Sequence, residues 1–374
     1  MAKSKAIISE TGEFPAQYNV LQEGESGIYQ VVFGPDPDLE DAQRKADELN
    51  GVRARTAKGH YVADDPSTPD VNEAYVGGKA PKKKAAKKNP NFKFKKISNN
   101  IFHLSGDNGL GYLAANAGIK KCVSLAKEKG IGLVAISKSN HFGMAANYLE
   151  FASKNKCIAW VYTNASKALP PHGAMAPFFG TSPFAFGCPT KNKNKPFILD
   201  MASSSVARGK LKFAAQKKIK IPFGYALDKF GKPTNDGSKA FEGIMLPFGG
   251  MKGAGISWMM DIVAGIFTGA NHSGKVKNAI NDFSGPSNVG HLMICMRTDL
   301  FQSHNSFIKK IEFGFKKVKK LKKAKGFKTI MHPGEPEYLN YLSNKKKGIS
   351  LSKGIIVELN KLAQKYKVKT PFKI

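Results

Sequence analysis

Residues 112–163 read YLAANAGIKKCVSLAKEKGIGLVAISKSNHFGMAANYLEFASKNKCIAWVYT, and this stretch decides the fold. Apolar residues recur at helical spacing from Tyr112 to Lys129, and Gly130 follows as a residue suited to end a helix. The apolar run at 132–137 predicts a buried strand, 142–155 a second helix and 157–163 a second strand. This alternation predicts an α/β fold in which helices cover a mixed, partly parallel sheet.

The region before this stretch differs from it in composition. Residues 1–78 predict a small α+β unit with a strand at 29–33, a helix from Pro37 to Leu49 and a second strand at 53–62. Its role stays open. Residues 79–91 form a lysine-rich linker, whose run of lysines continues to Lys96, and 92–374 form the α/β body.

The net charge of +31 is distributed unevenly. Residues 1–78 contain 7 Lys/Arg and 14 Asp/Glu, a formal charge of −7, so the remainder carries +38. Lysine supplies 54 of the 59 basic residues, whereas polyanion sites more often use arginine. A solvated lysine surface is therefore the favoured interpretation, also for the predicted helix at 307–321. Nonspecific contact of the lysine-rich segments with nucleic acid is the alternative.

Cysteine usage and hydropathy exclude several classes of protein. Cys122, Cys157, Cys188 and Cys295 are scattered without a CxxC pair, and Met1 is not followed by a secretory leader pattern. We therefore expect reduced thiols, a cytoplasmic location and no metal site. The apolar residues 253–270 are interrupted by Asp261 and several glycines, which predicts a buried helix and no membrane span.

Two polar residues stand at predicted strand ends. His141 follows the first buried strand and precedes a helix, a position where α/β proteins commonly bind ligands and where the helix N-terminus favours phosphate. Asp200 ends the apolar strand that begins at Phe197. Its carboxylate can accept hydrogen bonds from ribose hydroxyls, as in other dinucleotide sites, or it can cap the next helix.

A glycine-rich turn precedes the predicted helix at 256–267. Residues 249–255 read GGMKGAG, so backbone N–H groups and the Lys252 cation are expected to suit the pyrophosphate of a dinucleotide. No GxGxxG phrase follows the first strand of a βαβ unit, which argues against an ordinary Rossmann domain.

Several phrases together resemble the malate/L-lactate dehydrogenase family over residues from about 92 to 362. They are Ser139-Asn140-His141-Phe142-Gly143, Thr163-Asn164-Ala165-Ser166, Asp200-Met201-Ala202, Gly249-Gly250-Met251-Lys252-Gly253, Asn288-Val289-Gly290-His291 and His332-Pro333-Gly334-Glu335. The resemblance implies a non-Rossmann dinucleotide-binding fold and hydride transfer between NAD(P), with NAD favoured, and a small 2-hydroxy or 2-oxo acid. It also implies a homodimer.

The resemblance implies residue roles as well. His141 would be the catalytic residue and would also face the nicotinamide ring. The other cofactor contacts would be Asn140, Gly143, Asn164, Ala165, Ser166, Asp200, Met201, Ala202, Lys252, Gly253, Gly334 and Glu335. The substrate contacts would be His172, Gly173, Thr181 and Asn288. Pro336 stands after Glu335, where the family usually has arginine.

One family phrase has no counterpart in this chain. Family members carry an N-terminal Ser-His-Gly phrase whose histidine moves the hydroxyl proton, before the phrase found here at 106–111. His60 and His103 lie in other contexts. The resemblance thus implies impaired activity unless His141 substitutes. The alternative is a noncatalytic fusion or a polyanion-binding structural protein.

Overall fold

This computed structural model describes residues 6–10, 18–23, 29–36, 90–279, 282, 284–351 and 353–370. The chain forms two compact units, Met1–Ala85 with Lys277–Pro286, and Ala86–Val276 with Ser287–Ile374.

The first unit contains a three-stranded antiparallel sheet in the order β1-β2-β3. Its strands are β1 (Ala6–Glu10), β2 (Tyr18–Glu23) and β3 (Tyr29–Asp36). The strand predicted at 29–33 is confirmed within β3, while β1 and β2 were not predicted. The helix predicted at 37–49, the strand at 53–62 and linker residues 79–89 lie outside the described residues. The boundaries 1–78 and 79–91 stay predictions.

The second unit is built on a seven-stranded sheet in the order β4-β5-β6-β12-β7-β8-β9. Its strands are β4 (Lys93–Ser98), β5 (Ile101–Ser105), β6 (Ile131–Ser139), β7 (Cys157–Thr163), β8 (Phe184–Cys188), β9 (Phe197–Met201) and β12 (Val289–Arg297). The β5–β6 pair is parallel and the other pairs of this sheet are antiparallel. The predicted mixed sheet is confirmed. The end of the lysine run, Lys93 to Lys96, lies in the exposed edge strand β4.

Strand β12 is the long-range element of this sheet. It inserts between β6 and β7 and is antiparallel to both, so the two strands predicted from residues 132–163 are not neighbours. Its first half is buried, because helices and other strands surround the centre of the sheet. Its residue His291 pairs with Ile136 on one side and Thr163 on the other.

Two helices cover the sheet. Helix α1 (Gly111–Lys129) packs on β6 and β12 and ends at Gly130, as predicted, while α2 (Ala146–Lys154) packs on β7 and β8. Fully buried side chains such as Ile119, Leu149 and Met293 form the core between these layers. Helix α2 begins four residues later than predicted, because Gly143 adopts a φ of +81° that no helix accommodates.

A smaller apolar cluster centres on Leu169, Leu211 and Met245. The elements in this part of the chain are α3 (Arg208–Lys217), β10 (Ala226–Leu227), α4 (Gly237–Glu242) and β11 (Ile244–Met245). Strands β10 and β11 pair as an antiparallel ribbon.

The remaining helices are α5 (Met251–Met260), which continues as π-helix over Asp261–Ile266, α6 (His304–Lys319), α7 (Glu335–Lys347) and α8 (Lys353–Lys365). Helix α5 starts five residues earlier than predicted, because helical bonding already begins with Ala254 N–H donating to Gly250 O at 3.1 Å. Of the helices in the described ranges, none has the length and apolar character needed to cross a bilayer.

Candidate active site

Three segments meet at the carboxyl end of β9. Asp200 accepts a hydrogen bond at 2.9 Å from the N–H of Ala146, the first residue of α2, so the preceding loop with His141 lies at this end of the sheet. Beyond Asp200, Ser203 O accepts the Phe248 N–H at 3.0 Å. That bond holds the start of α5, with exposed Lys252, beside the same strand end. The fold therefore gathers the segments of His141, Asp200 and Lys252.

The loop carrying His141 is anchored from below. Asn140 Nδ2 donates to Gly109 O at 2.8 Å and to Asn108 O at 3.2 Å, so this side chain holds the loop. The His141 ring is exposed, and its Nδ1 accepts the Gly143 N–H at 3.2 Å. With Nδ1 as the acceptor, the neutral ring carries its proton on Nε2.

His291 lies in the region of the site, and no role was predicted for it. Its Nδ1 lies 2.8 Å from Thr163 Oγ1 and its Nε2 lies 2.9 Å from Ser139 Oγ, and its ring stacks on Phe142 at 4.6 Å. It thereby ties together the ends of β6, β7 and β12 directly beneath His141. Complete burial lowers the pKa of His291 to about 3, so the ring is neutral at physiological pH.

This buried histidine makes folding stability depend on pH. Between pH 6.5, the ordinary pKa of histidine, and pH 3, the unfolded chain binds a proton that the folded chain does not. Acidification through this range should therefore lower the free energy of unfolding, with a slope of up to about 1.4 kcal/mol per pH unit from this group.

Urea unfolding of the wild type and of His291→Asn at pH 7, 6 and 5 measures this slope, and the variant should have the flatter dependence. Glu335, whose pKa is lowered, loses its contribution only below about pH 4.5 and does not interfere. Equal slopes in the two proteins would show that His291 titrates normally in the fold.

Asp200 caps a helix, but not the one that follows it. Its carboxylate bonds to the N-terminus of α2, which precedes β9 in the chain, while α3 begins at Arg208 without a side-chain cap. Desolvation raises the pKa of Asp200, the N–H groups of Ala146 and Ala145 lower it, and Glu337 raises it further, so the net shift is upward. Met201 and Ala202, which follow it, are half-buried.

In the phrase at residues 163–166, the side chains of Thr163 and Asn164 form hydrogen bonds within the fold. Asn164 is 2% exposed, its Nδ2 donates to Asn271 O at 2.6 Å, and its Oδ1 accepts the Gly290 N–H at 3.0 Å. Both polar groups of the Asn164 side chain are therefore hydrogen-bonded to backbone atoms. Ala165 and Ser166 after it are half-buried.

The predicted substrate residues fall into separate places. His172 and Gly173 lie exposed on the loop between β7 and β8. Thr181 is closer to the strand end, because its carbonyl accepts both the N–H and the hydroxyl of Ser203 at 2.8 Å. Asn288 lies at the end of β6, where its Oδ1 accepts the Lys138 N–H at 2.6 Å.

Glu335 is the centre of a buried ion pair. Its Oε1 accepts bonds from Lys195 Nζ at 2.6 Å and Lys319 Nζ at 2.5 Å. Desolvation, the largest single influence, raises its pKa, but the bonds from Lys195, Lys319 and the His332 N–H and the charge of Lys195 together lower the pKa of Glu335 to about 2. The adjoining Gly334 lies beside β9, where Pro333 O accepts the Ile198 N–H at 3.3 Å. The carboxylate of Glu335 is thus committed to two lysines.

The hydrogen bonds of His103 give it a structural role and not that of a proton carrier. Its Nε2 lies 3.0 Å from Ser137 Oγ and 3.2 Å from Thr268 O, so it joins β5 to its neighbours. His60 lies outside the described residues. Within the described ranges, no three His, Cys, Asp or Glu side chains cluster in a way that would hold a metal ion.

The residues at the strand end suit a dinucleotide. The hydroxyls of Ser182 and Ser204 are buried and find no hydrogen-bond partner within the described part of the chain. They adjoin Thr181 and Ser203 in sequence, next to the start of α5. An exposed lysine and a carboxylate are groups that can meet the phosphates and ribose of a nicotinamide cofactor.

Comparisons with known proteins point to one family of dehydrogenases. A family model described as malate/L-lactate dehydrogenase matches residues 75–360. Malate/(S)-sulfolactate dehydrogenase from Methanothermus fervidus is 35% identical over 279 residues, which are 74% of this chain and 80% of that protein. (2R)-3-sulfolactate dehydrogenase (NADP(+)) from Chromohalobacter salexigens is 33% identical over 53% of this chain and 59% of its own.

The solved structure of sulfolactate dehydrogenase from Methanocaldococcus jannaschii superimposes with a TM-score of 0.68 at 35% sequence identity. The match covers 75% of this chain and 80% of that one. Since both the sequence match and the fold extend over most of the second unit, the chain belongs to the malate/L-lactate dehydrogenase family of oxidoreductases.

Proposed function

We propose that this protein is an NAD(P)-dependent oxidoreductase that interconverts a small 2-hydroxy acid and the corresponding 2-oxo acid. The observation that carries the proposal is the meeting of the His141 loop, Asp200 and the start of α5 at one strand end. Family membership supports the same chemistry. When bound, the nicotinamide cofactor supplies the site that accepts or donates the hydride.

His141 is proposed as the proton carrier. Its exposed ring lies on a loop that the Asn140 side chain holds by hydrogen bonds. Phe142 of the same loop stacks on the buried His291. In oxidation the ring takes the hydroxyl proton of the substrate and passes it to water, and in reduction it returns a proton to the carbonyl oxygen. Because Nδ1 accepts the Gly143 N–H at 3.2 Å, this bond has to open when the neutral ring takes up the substrate's proton.

Asp200 and Lys252 are proposed to hold the cofactor. The Asp200 carboxylate accepts hydrogen bonds from ribose hydroxyls, and Lys252 at the start of α5 attracts the phosphates. A carboxylate on the ribose repels a 2′-phosphate, which supports NAD as the preferred cofactor, in contrast to the relative named for NADP(+). Asn140, Asn164 and Glu335 are assigned supporting roles, because their side chains are engaged within the fold.

A homodimer is proposed to form through the face of α5 and its π-helical continuation. Met251, Trp258, Ile262, Ile266 and Phe267 on this segment are each about half or more exposed, at 66%, 57%, 46%, 50% and 68%. An exposed apolar stripe of this kind is typical of a protein interface. The four buried, free cysteines support a reducing, cytoplasmic location.

The Ile262→Lys substitution should disrupt this dimer, because it would bury a charge without a partner in the interface. Sedimentation velocity is expected to give a dimer for the wild type and a monomer for the variant. Leu362→Lys, on the exposed face of α8, is the matched control and should remain dimeric. A monomeric wild type, or dissociation by both substitutions alike, would refute the assignment of this face.

The proposed function is tested by following NADH and NADPH consumption with oxaloacetate, pyruvate and sulfopyruvate. At least one acid should be reduced, with NADH preferred. The activity should persist when salt is raised from 50 to 200 mM, a change that weakens polyanion binding about 10³–10⁵-fold when six to ten phosphates are contacted. A folded protein that oxidises neither cofactor with any of these acids would overturn the proposal.

A further inference from the structure

A cavity of about 190 Å³ lies at the end of α2 remote from His141. Its walls are the C-terminal end of α2, the turn that joins β8 to β9, and the first turn of α6. The helix separates this cavity from the Asp200 contact by its full length of nine residues, or about 13 Å. The cavity is therefore distinct from the proposed cofactor site.

The charge of the lining has one sign. Lys154, Lys156, Lys191 and Lys193 come from two different walls, His304 comes from the third, and no Asp or Glu lines the cavity. Lys154 has a loose ion pair with Glu150 at 3.5 Å. Within the described ranges the side chains of the other three lysines form no ion pair, while the backbone N–H of Lys191 donates to Glu312 Oε1 at 3.1 Å. A concave surface with four uncompensated or weakly compensated cations attracts an anion.

One residue of the lining, Ser153, has a buried hydroxyl without a partner among the described residues. Ser153 is 5% exposed, and its Oγ has no hydrogen-bond partner among the residues that the structure describes. A buried hydroxyl in this state costs free energy unless a ligand or water satisfies it. Because Ser153 lines the cavity, a ligand there toward which Oγ turns would satisfy this hydroxyl.

The first turn of α6 contributes further donors. His304 and Asn305 occupy the first two positions of this 16-residue helix, where N–H groups lack intrahelical acceptors. The N-cap Ser303 Oγ accepts only the Ser306 N–H, at 3.2 Å. The partial positive charge of the helix N-terminus thus adds to that of the lysines.

The hydrogen bonds of His304 define its tautomer. Thr298 Oγ1 donates to Lys156 O at 3.0 Å and therefore accepts from His304 Nδ1 at 2.7 Å. Nε2 is then the nitrogen that can take up a proton and donate to an anion. Desolvation lowers the pKa of His304, Lys156 and Lys193 lower it further, and Asp299, paired with Arg297 at 2.9 Å, partly opposes them. A bound anion would offset these lysines and favour the protonated ring.

We propose that this cavity is a binding site for a tetrahedral dianion, namely a phosphate group, either free or in a small phosphate monoester. The ligand oxygens would accept from Ser153 Oγ, the first-turn N–H groups of α6, the lysines and His304 Nε2. The site does not depend on the proposed redox function, since the residues that form it are separate from His141, Asp200 and Lys252.

Isothermal titration of the full chain with sulfate, inorganic phosphate and glycerol 3-phosphate, at ionic strength held constant with chloride, tests this site. Sulfate keeps its charge over the range used, so it should bind more tightly at pH 6 than at pH 8 as His304 takes up a proton. Equal affinity for phosphate and its ester identifies the free ion, and tighter binding of the ester identifies an organic phosphate. Absence of saturable binding of all three ions overturns the proposal.

Variants locate the binding. Lys191→Gln with Lys193→Gln should weaken phosphate binding at least about tenfold, as expected for lost charge-assisted bonds. Ser153→Ala should also weaken it while leaving thermal stability unchanged or higher, because an unpaired hydroxyl is removed. The matched control, Lys212→Gln with Lys309→Gln, changes exposed lysines outside the cavity and should bind normally. Equal losses in the control, or displacement of sulfate by NADH, would refute a separate site.

Discussion

Replacing His141 by alanine is expected to lower kcat by about 10²–10⁴-fold, the range for loss of a positioned proton carrier. Affinity for NADH should change little, because Asp200 and Lys252 are proposed to hold the cofactor. The ring of His141 is exposed and makes one weak bond to Gly143 N–H, so its removal should leave the fold intact. Steady-state kinetics with the best 2-oxo acid, together with NADH titration, measures both effects.

The matched control for this experiment is His304→Ala, the same substitution at the other end of α2. It should retain wild-type kcat, since the ring lies in the remote cavity. If His141→Ala also retains wild-type kcat, another group carries the proton and the assignment of His141 is wrong. A large increase in the Kd for NADH with unchanged kcat would instead make His141 a binding residue.

The Gly290→Ala substitution is expected to destabilise the fold by about 3 kcal/mol, at the upper end of the range for overpacking. A Cβ at Gly290 would stand 1.7 Å from Ala264 O and 2.6 Å from Thr268 Oγ1. Both of these atoms belong to or follow the π-helical segment, which therefore cannot approach β12 unless residue 290 is glycine. Displacement of this strand would also disturb His291 and the loop above it.

Urea unfolding measures this loss against Gly314→Ala, the same change in a helix. Gly314 lies in α6 with no atom within 4 Å of an added Cβ, so alanine there should raise stability by about 0.5–1 kcal/mol. The two substitutions should thus have opposite signs. Equal effects would mean that β12 and the π-helical segment are not packed as closely as the structure has them.

Local patterns in the sequence predicted the elements whose signals are local. The strand at 157–163 has the predicted ends, and the first helix ends at Gly130 as predicted. In contrast, the start of α2 was predicted too early and that of α5 too late. Both errors concern glycines. Gly143 was placed inside the predicted helix, but its positive φ interrupts the chain there. Gly253 was placed in a turn before the predicted helix, but it lies inside the helix.

Contacts between distant segments were beyond sequence reasoning. The insertion of β12 between β6 and β7 depends on pairing with residues more than 120 positions away, and the same pairing creates the Ser139–His291–Thr163 chain. Apolar periodicity identifies strands but not their neighbours. The signals available for His291 were its place in an otherwise apolar strand and in the family phrase Asn288-Val289-Gly290-His291.

The candidate site was predicted in part for the same reason. His141 and Asp200 were proposed because polar residues at strand ends are a local pattern, and the structure brings their segments together. The ion pairs of Glu335 with Lys195 and Lys319, and the internal bonds of Asn164, depend on tertiary packing. The role of these two residues as supports could therefore be assigned only from the fold.

The second unit is proposed to hold a nicotinamide cofactor at the strand end beside α5. Trp258 on α5 provides a fluorescent reporter, so the direct measurement is quenching of tryptophan emission during titration with NADH. We expect saturable quenching with a micromolar Kd for NADH, and Lys252→Gln should weaken this binding. Absence of saturable quenching by both NADH and NADPH up to millimolar concentration would contradict it.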